Sequence, residues 1–412
     1  MHLRFLKAVA FSVCMLSVAS LSAQGIRFGK GADWQAIRDE ARREGKYIFV
    51  DAYTSNCAPC RLMDRTVFPR KDVGDYFNKH FINIKLQLNT TATDAPHVRA
   101  RYPLAAAFLR EYAIGVFPTY LFFNADGELV HRETGSAKPE EFLERGRAAL
   151  DTGRQYLLQV RRFNAGRRDA PFLHRLALLA RRAHDDSALR VYSTAYLATQ
   201  PDLLTAENAE FLYTVTRTPH DTGFVLMRTR PEAFGMVAPA AHLHELLLGM
   251  VVRDAFSENG IRPEMSEADW ERWTAQTRAA YPEFAGRAVF RVKQLFYAYH
   301  SNDKAAYDAA LAYGASADAD PRELNALAWG ILREGDSVRL RDALRWSART
   351  LEGEGAMRPE YLDTYAHLLY RLGRRKEALE WELKARARAL ATGGSKDWGL
   401  EVIRKMQKGA PL

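Results

Sequence analysis

Residues Lys46 to Met63 read KYIFVDAYTSNCAPCRLM. An apolar, β-branched run, YIFVDAY, closes on two cysteines two residues apart, Cys57 and Cys60, with Pro59 between them and a helix-like segment behind. Such a run bounded by turn residues reads as a buried strand. Two thiols placed where a strand hands over to a helix are either a working pair or the relic of one, and the rest of the chain has to decide between them.

The chemistry available to the pair follows from its position. The thiolate is the nucleophile in disulfide exchange, so a reactive cysteine needs something that stabilises negative sulfur. Cys57 follows the strand and precedes the helix, where backbone N–H groups and the helix dipole converge. Its pKa is expected to fall into the roughly 3.5–7.5 range of such motifs. Cys60 lies one helical turn on and can resolve a mixed disulfide formed by Cys57.

The N-terminus sets the setting in which that pair is read. Arg4 and Lys7 precede the apolar run AVAFSVCMLSVASLSA, which ends in small residues ahead of Gln24 and Gly25. This pattern predicts a secretory signal over residues 1–23, cut after Ser22 or Ala23. The run is short of the ~20 residues that span a bilayer, and Cys14 lies too early in it to suit a lipid-anchored cysteine. An exported, periplasmic protein is expected. Removing the signal leaves Cys57 and Cys60 as the only cysteines. One pair three positions apart closes too short a loop to staple a fold, and zinc would need ligands that the scattered histidines do not supply.

Composition excludes other classes. The 412 residues are 47% hydrophobic and 26% charged, too long a chain for one compact core. The net charge of +9 falls to +7 once Arg4 and Lys7 leave, and the excess is arginine spread along helical segments such as RLALLARRAH. That reads as solvated helix faces, without a recognisable nucleic-acid module. No glycine-rich phosphate loop or GxSxG elbow is present, and His242 and His244 in AHLHELLLG lack the HExxH order of a zinc protease.

From Ile26 to Asp151 helical and extended patterns alternate. DWQAIRDEARREGK reads as a helix capped by Asp33, FINIKLQLN as a second strand, and GVFPTYLFFNADGELVHRE as a hairpin turning at Asp126-Gly127. Beyond Thr152 helices dominate. RDALRWSARTLE at 341–352 matches KEALEWELKARA at 376–387, with Trp346 against Trp381, and LALLARRAHDDSALRVYSTAYLATQP is a looser copy. The offset of 35 residues is close to the 34-residue tetratricopeptide period. The segment from about 203 to 300 shows no clear copy.

IFVDAYTSNCAPC, KLQLN and GVFPTYLFF stand in the order and context of a thioredoxin fold. From Ile26 to Asp151 the chain resembles exported thioredoxin-like proteins related to the C-terminal domain of the transmembrane electron transporter DsbD. The resemblance implies Cys57 as attacking thiol and Cys60 as resolving thiol, the two cycling as a redox disulfide. It implies Asp51 as a buried carboxylate exchanging a proton with Cys60, and Lys85 as its partner. Pro118 matches the cis-proline beside the sulfurs, where Phe117 and the backbone before it pair with an extended client. Asn56 stands where thioredoxins carry tryptophan, so client contact there departs from the family. Pro59 tilts the motif toward reduction. TTATDAPHVRARYPLAAAFL is longer than the usual connection and is placed to shape client choice.

The expected architecture is an α/β thioredoxin fold followed by an all-α helical-repeat, tetratricopeptide-like domain, divided as 1–23, 24–152 and 153–412. The expected function is an exported thiol–disulfide oxidoreductase, a reductase or isomerase of protein disulfides, whose helical repeats recruit a client or partner. No cofactor, no metal and no nucleic acid are expected. The partners are protein disulfide clients and, by resemblance only, a membrane electron donor of the DsbD type. The alternative is a binding scaffold in which the thioredoxin-like domain is a docking platform of low activity.

Overall fold

The structure, a computed structural model, describes residues 25–257, 260–334 and 336–412. The signal segment expected over 1–23 lies outside the described residues. The chain divides into two compact units, one up to Val215 and one from Thr216. The boundary expected at residue 152 thus falls inside the first unit. No helix among the described residues is long and apolar enough to cross a membrane.

The first unit is built on a five-stranded sheet of order β1-β3-β2-β4-β5. Its strands are β1 (Phe28–Gly29), β2 (Tyr47–Tyr53), β3 (Phe81–Gln87), β4 (Thr119–Phe123) and β5 (Leu129–Thr134). β3 runs parallel to β1 and β2, whereas β4 runs antiparallel to both β2 and β5. The helices of this unit are α1 (Trp34–Glu44), α2 (Ala58–Thr66), α3 (Lys71–His80), α4 (Pro96–Arg99), α5 (Tyr102–Glu111), α6 (Pro139–Leu150), α7 (Tyr156–Asn164), α8 (Ala170–Arg182), α9 (Asp186–Leu197) and α10 (Ala206–Val215). Local chemistry sets several of the boundaries. The Asp33 side chain accepts the Gln35 N–H to start α1, and Gly45, at φ +61°, ends it in the left-handed conformation that glycine adopts without penalty. The β4–β5 turn closes with the Asn124 N–H donating to the Glu128 carbonyl at 3.0 Å.

Strand alternation sorts the sheet into two faces. Ile48, Val50 and Ala52 of β2 and Ile82, Ile84 and Leu86 of β3 pack under α1 and α5. Phe49, Phe81, Tyr120 and Phe122 point the other way, onto Met63 of α2, Phe77 of α3 and Phe142 of α6. Phe49 is the hub of this second face, with ring centroids 5.0 Å from Phe77, 5.2 Å from Phe122 and 5.9 Å from Phe142. The same alternation carries Asp51 and Lys85 to the α2 face, which positions the site described below.

The helices after residue 152 begin as part of the first unit. The Tyr156 N–H donates to Nδ1 of the fully buried His131 on β5, at 3.1 Å. Nε2 of that ring stands 3.3 Å from Glu133, itself 1% exposed. Arg182 at the end of α8 donates to the same Glu133 carboxylate from Nε and Nη2, at 2.9 and 2.6 Å, and Arg145 of α6 lies 3.8 Å away. Burial alone would raise the Glu133 pKa; His131, Arg182 and Arg145 outweigh it and hold the carboxyl below its ordinary value.

The second unit is all helical: α11 (Thr222–Thr229), α12 (Ala240–Asp254), α13 (Glu267–Ala280), α14 (Ala285–Tyr299), α15 (Asp303–Ala315), α16 (Pro321–Glu334), α17 (Ser337–Thr350), α18 (Pro359–Arg371), α19 (Arg375–Ala391) and α20 (Leu400–Lys408). Consecutive helices α14/α15, α16/α17 and α18/α19 pack as pairs. The two matching sequence copies lie on α17 and α19, the second member of successive pairs. Trp346 is buried against Tyr307, while Trp381 is half-buried edge-on to Tyr365.

Candidate active site

Cys57 is the N-cap of α2, and its Sγ accepts the Cys60 N–H at 3.1 Å. Pro59 falls in the first turn, where its missing N–H costs no helical hydrogen bond. Cys57 and Cys60 are joined by a disulfide, with Cα atoms 5.3 Å apart. The two sulfurs are not equivalent: Cys57 is half-buried on the approach side, whereas Cys60 faces inward at 3% exposure. In the reduced form the N–H that now meets Cys57 Sγ would donate to a thiolate, a charge-assisted bond at the positive end of a helix.

Pro118 is buried one residue before β4, and the Phe117–Pro118 peptide is cis. Thr119 of β4 is in register with Ala52 of β2, so the next step of that register brings Pro118 across from Tyr53, at the strand end that leads into the cysteine loop. Phe117 is half-buried and Asn56 is exposed, next to Cys57.

Beneath α2 lies a charged cluster. Asp51 is 1% exposed, and its Oδ1 receives no hydrogen bond. β2 and β3 align Asp51 with Lys85, whose Nζ is 3.6 Å from Asp51 Oδ2. Lys85 donates instead to Asp64 of α2, and its Nζ lies over the Tyr53 ring, 4.8 Å from the centroid. Burial pushes the Asp51 pKa up to about 7; Lys85 opposes that and Asp64 adds to it. A carboxyl that is half-ionised near neutrality under a helix carrying two thiols is suited to taking and returning a proton.

Sequence reasoning named Asp51 and Lys85 but missed Asp64. A signal was available, since Asp64 follows Cys60 by four residues and so shares its face of α2. It also missed how the long connection after β3 is anchored. The Asn89 side chain bonds Ser55 twice, accepting its N–H at 2.9 Å and donating to its Oγ at 2.8 Å, so the connection braces the cysteine loop itself. Asp94 holds that connection together by accepting from Gln87, from Thr91 and from the Tyr102 hydroxyl. Arg101, 6% exposed, donates to the carbonyls of Gly29, Gly31 and Lys85. His244, set aside on sequence grounds, packs its ring against Phe284 in the second unit.

Residues 34–150 match the family model of a thioredoxin-like domain. Among solved structures, the chain is similar to a candidate disulphide-isomerase from Bacteroides thetaiotaomicron, with 29% identity over 31% of this chain and 96% of that one, at a TM-score of 0.26. It is also similar to a DsbH oxidoreductase, at 13% identity over 33% and 92% of the two chains and a TM-score of 0.27. A third is the oxidised C-terminal domain of DsbD from Neisseria meningitidis, at 21% identity over 29% and 94%, with a TM-score of 0.23. No curated protein matches the chain significantly. Residues 34–150 are accordingly a thioredoxin-like domain, followed by a long all-helical region.

Proposed function

We propose that this protein is an exported thiol–disulfide oxidoreductase that reduces or isomerises protein disulfides, and that its helical region, read as tetratricopeptide-like, recruits the client or a partner. The observation that carries the reading is the asymmetry of the pair: an accessible sulfur at a helix N-cap joined to a buried one, on a helix that Asp64 and Lys85 link to the buried Asp51 carboxyl. In the reduced enzyme the Cys57 thiolate attacks one sulfur of a client disulfide, forming the Cys57–client bond and expelling the other client sulfur as a thiolate that takes a proton. Asp51 accepts the Cys60 proton, directly or through water. Cys60 then attacks Cys57 Sγ, which breaks the mixed disulfide, releases the second client thiol and leaves the enzyme as the disulfide seen here. Two electrons have passed to the client, and a membrane donor of the DsbD type returns them. Phe117 and Pro118 present backbone to an extended client, and Asn56 borders the same approach.

Insulin reduction by the mature protein, beside a Cys57→Ser variant, tests the chemistry. Loss of turnover in the variant is expected, and equal rates would remove the enzymatic reading in favour of a docking platform. A Cys60→Ser variant should accumulate mixed disulfides with clients, because the resolving attack is gone.

A further inference from the structure

The last helical pair of the second unit contains a cluster that the redox chemistry does not use. Asp363 and His367 lie four residues apart on α18, and Glu382 faces them from α19. One donor atom from each lies within 4.8 Å of the other two. Glu382 occupies the apolar stripe of α19 formed by Ala378, Ala385 and Ala389. It is 0% exposed, and neither carboxylate oxygen receives a hydrogen bond. The polar group that it meets is a second acid, Asp363, and two carboxyl groups in contact in a buried site favour a cation or a shared proton between them. Among the described residues no lysine or arginine pairs with either; His367, with Nδ1 3.5 Å from Asp363 Oδ1, is the basic group present.

Three further features suit a bound cation. The His367 Nδ1 lies 2.9 Å from the Asp363 main-chain carbonyl, a contact in which the nitrogen must donate, leaving the ring's lone pair on Nε2. That backbone bond is the one that commonly fixes the tautomer of a ligating histidine. The Glu382 side is sealed by the segment before α20. Gly399, at φ +70°, lies so close that a Cβ there would stand 2.8 Å from Glu382 Oε1, and Arg386 pins the segment by donating to the Lys396 and Trp398 carbonyls. The Asp363 side keeps 20% exposure, which leaves a way in. Finally, α16/α17 offers an internal comparison. α16 and α18 both start at proline, Pro321 and Pro359, so Asn325 and Trp329 stand where α18 has Asp363 and His367; the matching copies on α17 and α19 set Ser347 against Glu382. Three neutral side chains in one pair are replaced in the next by three of types that can ligate a metal.

We propose that Asp363, His367 and Glu382 form a binding site for one divalent transition-metal ion, which cross-ties α18 to α19. One imidazole nitrogen and two carboxylates are a donor set that Zn2+ accepts, with water completing the coordination. This departs from the expectation that the chain holds no metal. The rival occupant is a proton shared by the two acids.

The test uses the untagged mature protein with the Cys57–Cys60 disulfide intact, so that the thiols cannot capture metal. After chelator treatment and incubation with Zn2+, elemental analysis should give one zinc per chain, and Zn2+ should raise the melting temperature. Glu382→Gln, which keeps the shape, and His367→Ala should each weaken zinc binding about tenfold or more and abolish the melting shift. Circular dichroism checks that the variants fold. Absence of zinc uptake by the parent, or equal uptake by the parent and Glu382→Gln, would overturn the proposal and leave the shared proton.

Discussion

Asp51→Asn keeps the size and polarity of the buried side chain and removes its ionisation, so its effect can be worked out from the site. The Asp51 carboxyl titrates at about 7 in the folded protein against an ordinary 3.8. At ~1.36 kcal/mol per pKa unit, ionising it in place costs the fold about 4 kcal/mol. Because the folded value is the higher one, the folded state keeps a proton that the unfolded chain has released. The stability due to this residue is therefore whole below about 3.8, declines as the pH rises, and is gone above about 7. Between pH 5 and pH 8 the parent should lose about 3 kcal/mol through Asp51, roughly a hundredfold in the opening equilibrium. Asp51→Asn should lack that slope. Hydrogen exchange of the β2 amides, followed by mass spectrometry on the oxidised protein and corrected for intrinsic rates, reads this locally and avoids treating two units as one transition. Parallel loss of protection in parent and variant across this range would refute the reasoning, because it would mean that Asp51 is already ionised at pH 5 or never ionises below pH 8.

Asp64→Asn removes a negative charge that raises the Asp51 pKa and frees Lys85 for Asp51, so the same exchange series should show the Asp51 transition at lower pH; an unmoved or higher midpoint would contradict the shared role of Lys85. Glu133→Ala leaves Arg182, Arg145 and His131 without their buried counter-charge and should cost about 3–5 kcal/mol, with α8 amides losing protection together with β5; loss confined to β5 would mean that the Arg182 bond does not tie α8 down. Phe49→Ala empties the hub of the aromatic face and should cost about 3–5 kcal/mol in urea unfolding of the first unit, and a cost below about 1 kcal/mol would show that its neighbours collapse into the space.

What the sequence determined by itself is what nearest neighbours and periodicity encode. The two-residue repeat of YIFVDAY and FINIKLQ already sends Asp51 and Lys85 to one face of adjacent strands, because side chains alternate along any strand. Asp33, Gly45 and the Asp126-Gly127 turn mark their own element ends through local hydrogen bonding and backbone freedom. Cys57 and Cys60 take their unequal exposures from their places in the first turn of a helix laid on the sheet. Only the tertiary structure decided the contacts that depend on how elements rotate against one another. Lys85 turns to Asp64 because α2 presents that residue over β3, 21 positions away in sequence. Asn89 reaches Ser55 because the long connection folds back over the cysteine loop. Arg182 meets Glu133 from 49 residues on, which is why helices that look like the start of a separate helical region belong to the first unit. Asp363 and His367 advertise a shared helix face by their spacing, but Glu382 joins them only through the packing of α18 on α19. A buried charge finds its partner wherever the fold brings one, and local propensity carries no record of that distance.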